Sequence, residues 1–141
     1  SNRAYVSIVL SNGQKYGSYI SNASELNSLM SNADTSNKIT AFTYTGHGAE
    51  GTSGLIINNS NPNMPYGITP YDFKNISTNF EQNISVTLNA CYQGNYLDEY
   101  LRYLPDNATI IGYTDKVYLT PFSDMSDESV FYINGRKVIK E

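Results

Sequence analysis

Two short apolar runs constrain this chain most. The first is Ile39-Thr-Ala-Phe-Thr-Tyr44, which leads into Thr45-Gly46-His47-Gly48. The second is Ile84-Ser-Val-Thr-Leu88, which leads into Asn89-Ala90-Cys91-Tyr92-Gln93-Gly94. Each run is interrupted by Ser or Thr and is rich in β-branched or aromatic residues, so each reads as a strand. A glycine-containing turn follows both. The single histidine and the single cysteine of the chain stand in those two turns. If the runs are neighbouring parallel strands, imidazole and thiol share the carboxyl edge of one sheet, where open α/β sheets place their ligands.

Further strands are expected at Arg3–Leu10, Lys15–Ile20, Leu55–Ile57, Ala108–Tyr113 and Lys137–Ile139, with Asn12-Gly13 turning the first two into a hairpin. Leu55–Ile57 forms a small hairpin outside the main sheet. Between the strands lie segments of helical spacing. Asn22–Ser31 carries Leu26, Leu29 and Met30 on one face, capped by Asn22 or Ser24. Thr69-Pro70 opens a second helix, with Thr69 as its cap. Asn95–Leu104 stops at Pro105, and Pro121–Ile133 offers Phe122, Met125, Val130 and Ile133 to a core. Strand and helix alternate, which predicts an α/β fold with a mainly parallel central sheet and helices on both faces. With no internal repeat and no long linker, residues 1–141 are assigned to a single domain.

Composition narrows the chemistry. The 141 residues are 40% hydrophobic, enough for one core, and only 16% are charged against the usual ~25%. Asn, Ser, Thr and 13 tyrosines carry much of the polarity. A net charge of −4 without a basic stripe argues against nucleic acid as a partner. No run approaches the ~20 apolar residues of a membrane helix, so no membrane partner is expected. No signal peptide opens the sequence, although a mature or excised domain would lack one in any case. One Cys precludes an internal disulfide, and one Cys with one His cannot complete a Cys/His zinc site; neither metal nor cofactor is expected. The Asn-x-Ser/Thr triplets at Asn22, Asn58, Asn75, Asn83 and Asn107 are the chance yield of an Asn- and Ser-rich chain.

A lone cysteine is usually a buried, inert thiol, and a lone histidine an ordinary polar group. Context separates these two from that background. His47 stands between glycines at the end of a strand, and Gly48 leaves its backbone N–H approachable. Cys91 also follows a strand, at a bend where surrounding N–H groups can face a developing oxyanion. A thiol beside an imidazole is an activated nucleophile.

Thr45-Gly-His-Gly48 after one strand and Asn89-Ala-Cys-Tyr-Gln-Gly94 after the next resemble the caspase-like (clan CD) cysteine peptidases, the group that includes legumain, clostripain, gingipain and separase. Cys91 follows His47 by 44 positions, close to the ~50 of caspases. Gly94 falls three residues after Cys91, which is nearer the clostripain, legumain and separase pattern than that of true caspases. Ile110-Ile-Gly-Tyr113, Val117 and the acidic segment ending at Tyr132 extend the likeness, which covers roughly residues 38 to 133. The chain before residue 38 is shorter than the usual start of the family, so the resemblance implies that a strand–helix unit is missing or is replaced by the hairpin.

The resemblance implies a three-layer caspase-like sandwich and a cysteine endopeptidase. In it Cys91 attacks as thiolate, His47 moves the proton, and the N–H groups of Gly48 and Cys91 hold the oxyanion. No third catalytic member is implied; Thr45 and Glu50 are the nearest groups that could orient the imidazole. Substrate selection falls, by the same resemblance, to Asn89 and the segment Tyr113–Lys116. Clostripain-like enzymes carry Asp where this chain has Asn89. Asp115 or Asp124 could instead supply an anion for a basic side chain, and Lys116 would favour an acidic one. The bland reading of these charges is a solvated loop. Tyr92 is expected to shape the substrate groove, whereas Tyr96, Tyr100 and Tyr103 are expected to pack with their hydroxyls in water. The expected partner is a protein or peptide substrate, and the chain suits a self-processing or secreted effector or toxin module of a larger bacterial protein. The alternatives are a non-catalytic caspase-like interaction module and a small-ligand α/β domain, the latter disfavoured because no Gly-rich phosphate loop is present.

Overall fold

The structure, a computed structural model, describes residues 4–32, 36–57, 67–117 and 137–140. Strands β1 (Ala4–Leu10) and β2 (Lys15–Ile20) form the expected hairpin, closed by a hydrogen bond of 2.9 Å from the Leu10 N–H to the Gln14 carbonyl. Helix α1 (Ala23–Asn32) begins where the Asn22 side chain accepts from the Glu25 N–H, so Asn22 rather than Ser24 is the cap. Strand β3 (Ile39–Thr45) runs into the two-residue β4 (His47–Gly48), which pairs with β5 (Leu55–Ile56), which pairs in turn with β6 (Gly67–Ile68). This three-stranded sheet stands apart from the main one, as expected for Leu55–Ile57.

A 3₁₀ turn at Pro70–Asp72 precedes α2 (Phe73–Ile76). The helix expected after Thr69 is therefore short; its start is secured by the Asp72 carboxylate, which accepts from the Thr69 N–H at 2.8 Å. Strand β7 (Phe80–Asn89) carries Asn89 at its end. After a 3₁₀ turn at Gln93–Asn95 come α3 (Leu97–Leu101), shorter than the expected 95–104, and β8 (Thr109–Tyr113). Strand β9 (Lys137–Lys140) closes the order. Arg3, residues 58–66 and the helix expected over 121–133 lie outside the described residues.

The main sheet has the order β2-β1-β3-β7-β8-β9. Pairs β3–β7 and β7–β8 are parallel, whereas β1–β2, β1–β3 and β8–β9 are antiparallel. The fold is mixed α/β, and the expectation of a mainly parallel sheet is corrected to a mixed one. The cause is the Asn12-Gly13 turn. A connection this short, with the Leu10 N–H bonded to the Gln14 carbonyl, can only join antiparallel strands.

Connections β2→β3, β3→β7 and β7→β8 all advance the same way across the sheet. Right-handed crossovers advancing one way fall on one face. Among the described residues, helices α1, α2 and α3 therefore share a face. Register explains which face is theirs. Ile8, Phe42, Val86 and Ile110 form one row across four strands, Val6, Tyr44 and Leu88 the next, and all are buried. Phe73 of α2 sets its ring 5.6 Å from that of Phe42 and 5.7 Å from that of Tyr100 of α3. Leu26 of α1 joins the same hydrophobic cluster. The alternate row, Ser7, Thr43, Thr87 and Ile111, is half-buried.

Candidate functional site

The ends of β3 and β7 carry the candidate residues. Thr45 pairs with Asn89 in the parallel ladder, and the Gly46 N–H continues it to the Asn89 carbonyl at 3.1 Å. Two residues further on, His47 and Cys91 leave adjacent strands at the same level. Gly48 fills the space between. A Cβ built on it would collide with the Cys91 carbonyl oxygen and stand 3.0 Å from the Cys91 nitrogen and 3.1 Å from the Ala90 Cβ. The flanking glycine singled out in the sequence is thus required by the closeness of the two turns.

His47 is exposed, and Cys91 is half-buried. Among the described residues, no hydrogen bond joins the imidazole to the thiol. The Cys91 Sγ meets Val117 instead: the Val117 N–H donates to it at 3.3 Å, and the Val117 carbonyl lies at 3.6 Å.

The turn after Cys91 is sharp. Tyr92 is the single non-glycine residue with positive φ (66°) among the described residues. That conformation costs about 1–2 kcal/mol and needs support from its surroundings. The Tyr92 N–H donates to the Asp115 carbonyl at 3.1 Å, and the Tyr92 carbonyl accepts from both the backbone and the side chain of Asn95. Asn95 also donates to the Thr114 carbonyl at 2.9 Å. The strap Thr114–Val117 after β8 is thereby tied across the Cys91 turn.

The candidate substrate residues are spread around this turn. Asn89 donates to the Thr45 hydroxyl at 3.3 Å, which engages Thr45 with β7. Tyr92 is half-buried, and its hydroxyl is pushed above its ordinary range by lost hydration first, then by the Glu50 carboxylate, with smaller contributions from Asp115 and Cys91 against the opposing Lys116. Glu50 makes no hydrogen bond to His47 among the described residues. Asp115 and Lys116 are exposed, and the Asp115 carboxylate accepts from the Lys116 N–H at 2.7 Å. Asp124 lies outside the described residues.

Two buried polar side chains were not singled out in the sequence. The Tyr44 hydroxyl, at 0% exposure, donates to the His47 carbonyl at 2.9 Å. Burial, reinforced by Tyr100, drives its pKa far above the ordinary 10.0, so it stays a donor at any ordinary pH. A tyrosine at an inward strand position signals that its hydroxyl must find a partner. Gln93 carried no such signal. It is also at 0% exposure, and all four of its hydrogen-bonding positions are filled. Its Nε2 donates to the Ala49 carbonyl at 2.9 Å and to the Thr52 carbonyl at 3.3 Å. Its Oε1 accepts from the Gly54 N–H at 2.8 Å and from the Tyr100 hydroxyl at 2.6 Å. Tyr100 is accordingly corrected from wet to buried, with burial raising its pKa well above the usual tyrosine range.

Among the described residues, no group of three or more His, Cys, Asp or Glu side chains is placed to hold a metal ion, and no helix is long and apolar enough to cross a membrane. Comparison with protein-family models, curated proteins and solved structures found no match.

Proposed function

We propose that the chain is a cysteine endopeptidase acting through a Cys91–His47 dyad, with the three-layer caspase-like sandwich as its architecture. The third layer would lie over the half-buried Ser7–Thr43–Thr87–Ile111 row. The observation that carries the reading is the close approach of Gly48 to Cys91, which brings the two turns bearing imidazole and thiol backbone to backbone. In the reaction, His47 takes the Cys91 proton, and the sulfur forms a bond to the scissile carbonyl carbon. The oxyanion is held by the N–H groups of Gly48 and Cys91. Collapse breaks the C–N bond, and the His47 imidazolium protonates the departing amine. Water, deprotonated by His47, then splits the thioester to release the acid and restore the thiol. The substrate is a peptide or protein segment, with Asn89, Tyr92 and Asp115 lining its path; the rest of a larger parent chain is one such substrate, and a secreted or delivered effector is the setting that suits the composition.

The contact of Sγ with Val117, rather than with His47, favours a second reading: a non-catalytic relative serving as an interaction module. A peptide-library cleavage screen with Cys91→Ala as control separates the two. Cleavage lost in the variant is expected for the peptidase, and no cleavage by either protein would leave the interaction module.

A further inference from the structure

Among the described residues, the buried Gln93 carboxamide ties together both halves of the candidate site. It belongs to the Cys91 turn by sequence and to the His47 hairpin by contact. Strands β4 and β5 are joined by the loop Ala49–Gly54, closed by the Ala49 N–H donating to the Gly54 carbonyl at 2.9 Å. Gln93 fills the inside of that loop, bonding Ala49, Thr52 and Gly54. Its orientation is unambiguous, because reversing the amide would aim its oxygen at two carbonyls and its nitrogen at an N–H. Tyr100 locks it from the helix side. A second tie runs from the loop to α3, where the Ser53 hydroxyl meets the Glu99 carboxylate at 3.1 Å, but that pair is exposed.

We infer that Gln93 is a positioning residue, one that sets the height of His47 against Cys91 by plugging the 49–54 loop onto the nucleophile turn. The inference rests on the dyad reading above. His47 is only two residues ahead of Ala49, so the donation to the Ala49 carbonyl fixes where the imidazole begins. Tyr44 holds the other side of the same hairpin through the His47 carbonyl. The imidazole itself is exposed, so these backbone anchors, rather than packing around its ring, determine its place.

The test compares iodoacetamide labelling of Cys91 across pH 5–9 in the wild-type chain, His47→Ala, Gln93→Met and Tyr100→Phe, with amide hydrogen exchange of residues 48–55 measured in parallel. The wild type is expected to label faster than His47→Ala near pH 6, because a nearby imidazolium sustains the thiolate. Folded Gln93→Met is expected to lose that advantage, labelling ~10-fold more slowly at that pH, the equivalent of one pKa unit, and to exchange the loop amides faster. A merely structural role would change exchange or melting but leave the labelling profile in place. Should Gln93→Met not fold, Tyr100→Phe decides in its stead: it keeps the ring and removes only the donor that locks the carboxamide, and slower labelling with faster exchange supports the inference. If the wild type and His47→Ala label alike, the dyad reading fails and the positioning role with it. If they differ while the folded variant follows the wild type, the dyad stands and the role of Gln93 is overturned.

Discussion

Gly48 and Cys91 meet backbone to backbone at the carboxyl ends of β3 and β7, with no room between them for a side chain. The atom a larger residue would strike is a backbone carbonyl oxygen, which cannot rotate away as a side chain can.

Gly48→Ala is therefore expected to push the His47 hairpin off the Cys91 turn. Overpacking of this kind costs about 1–3 kcal/mol, and a displacement of ~1 Å at reacting groups costs on the order of 100-fold in rate. Thermal unfolding should show the loss of stability, and a peptide substrate from the library screen the loss of turnover. An Ala variant with wild-type turnover would mean that the two turns need not touch.

Gly94 makes a similar approach on the other side of the turn. A Cβ there would stand 2.7 Å from the Tyr113 carbonyl carbon and 3.0 Å from that of Gly112. Gly94→Ala should lift the Cys91 turn from the end of β8 and lower stability by about 1–3 kcal/mol, measured by urea titration at neutral pH. The midpoint should fall with little change in slope, since the fold is weakened rather than reshaped.

Tyr44→Phe removes the donor to the His47 carbonyl while keeping the ring that fills the core. An acceptor left without its partner costs about 1–3 kcal/mol. The variant should melt earlier than the wild type, and amide exchange should quicken in the β4–β5 hairpin before it does so in β1 or β7. Uniform acceleration throughout the sheet would count against a local anchor.

The two buried tyrosines also predict alkaline sensitivity. Burial raises the folded-state pKa of Tyr44 and Tyr100 above the ordinary 10.0. Above pH 10 the unfolded chain gives up phenolic protons that the folded chain retains, so the folded state binds more protons and stability falls as pH rises. Below that pH the contribution is fully present. Stability measured between pH 9 and 11.5 should decline with a slope that Tyr44→Phe and Tyr100→Phe each make shallower.

Much of the framework was legible in the residues because it is local. The alternation in Ala4–Leu10 and Ile39–Thr45 carries a period of two that only a strand satisfies, and both are strands. Asn12-Gly13 turned the chain as its composition demands. Asn22 caps α1 because its short side chain reaches an N–H three residues ahead. Helix lengths after Thr69 and Asn95 were less readable, since 3₁₀ turns at Pro70–Asp72 and Gln93–Asn95 take the first part of each stretch of favourable spacing.

The His47 and Cys91 positions at strand ends, and the need for glycine beside them, follow from sequence pattern because strand ends and turns are written in neighbouring residues. Strand direction beyond the first hairpin, the face shared by α1, α2 and α3, the Val117 backbone at the sulfur and the Gln93 plug were decided by tertiary structure alone. Each depends on which segments, distant in the chain, come to lie side by side. A buried carboxamide with partners about 40 positions away looks, in the sequence, like any other glutamine on a loop; only desolvation in the folded state forces all four of its hydrogen bonds to be made.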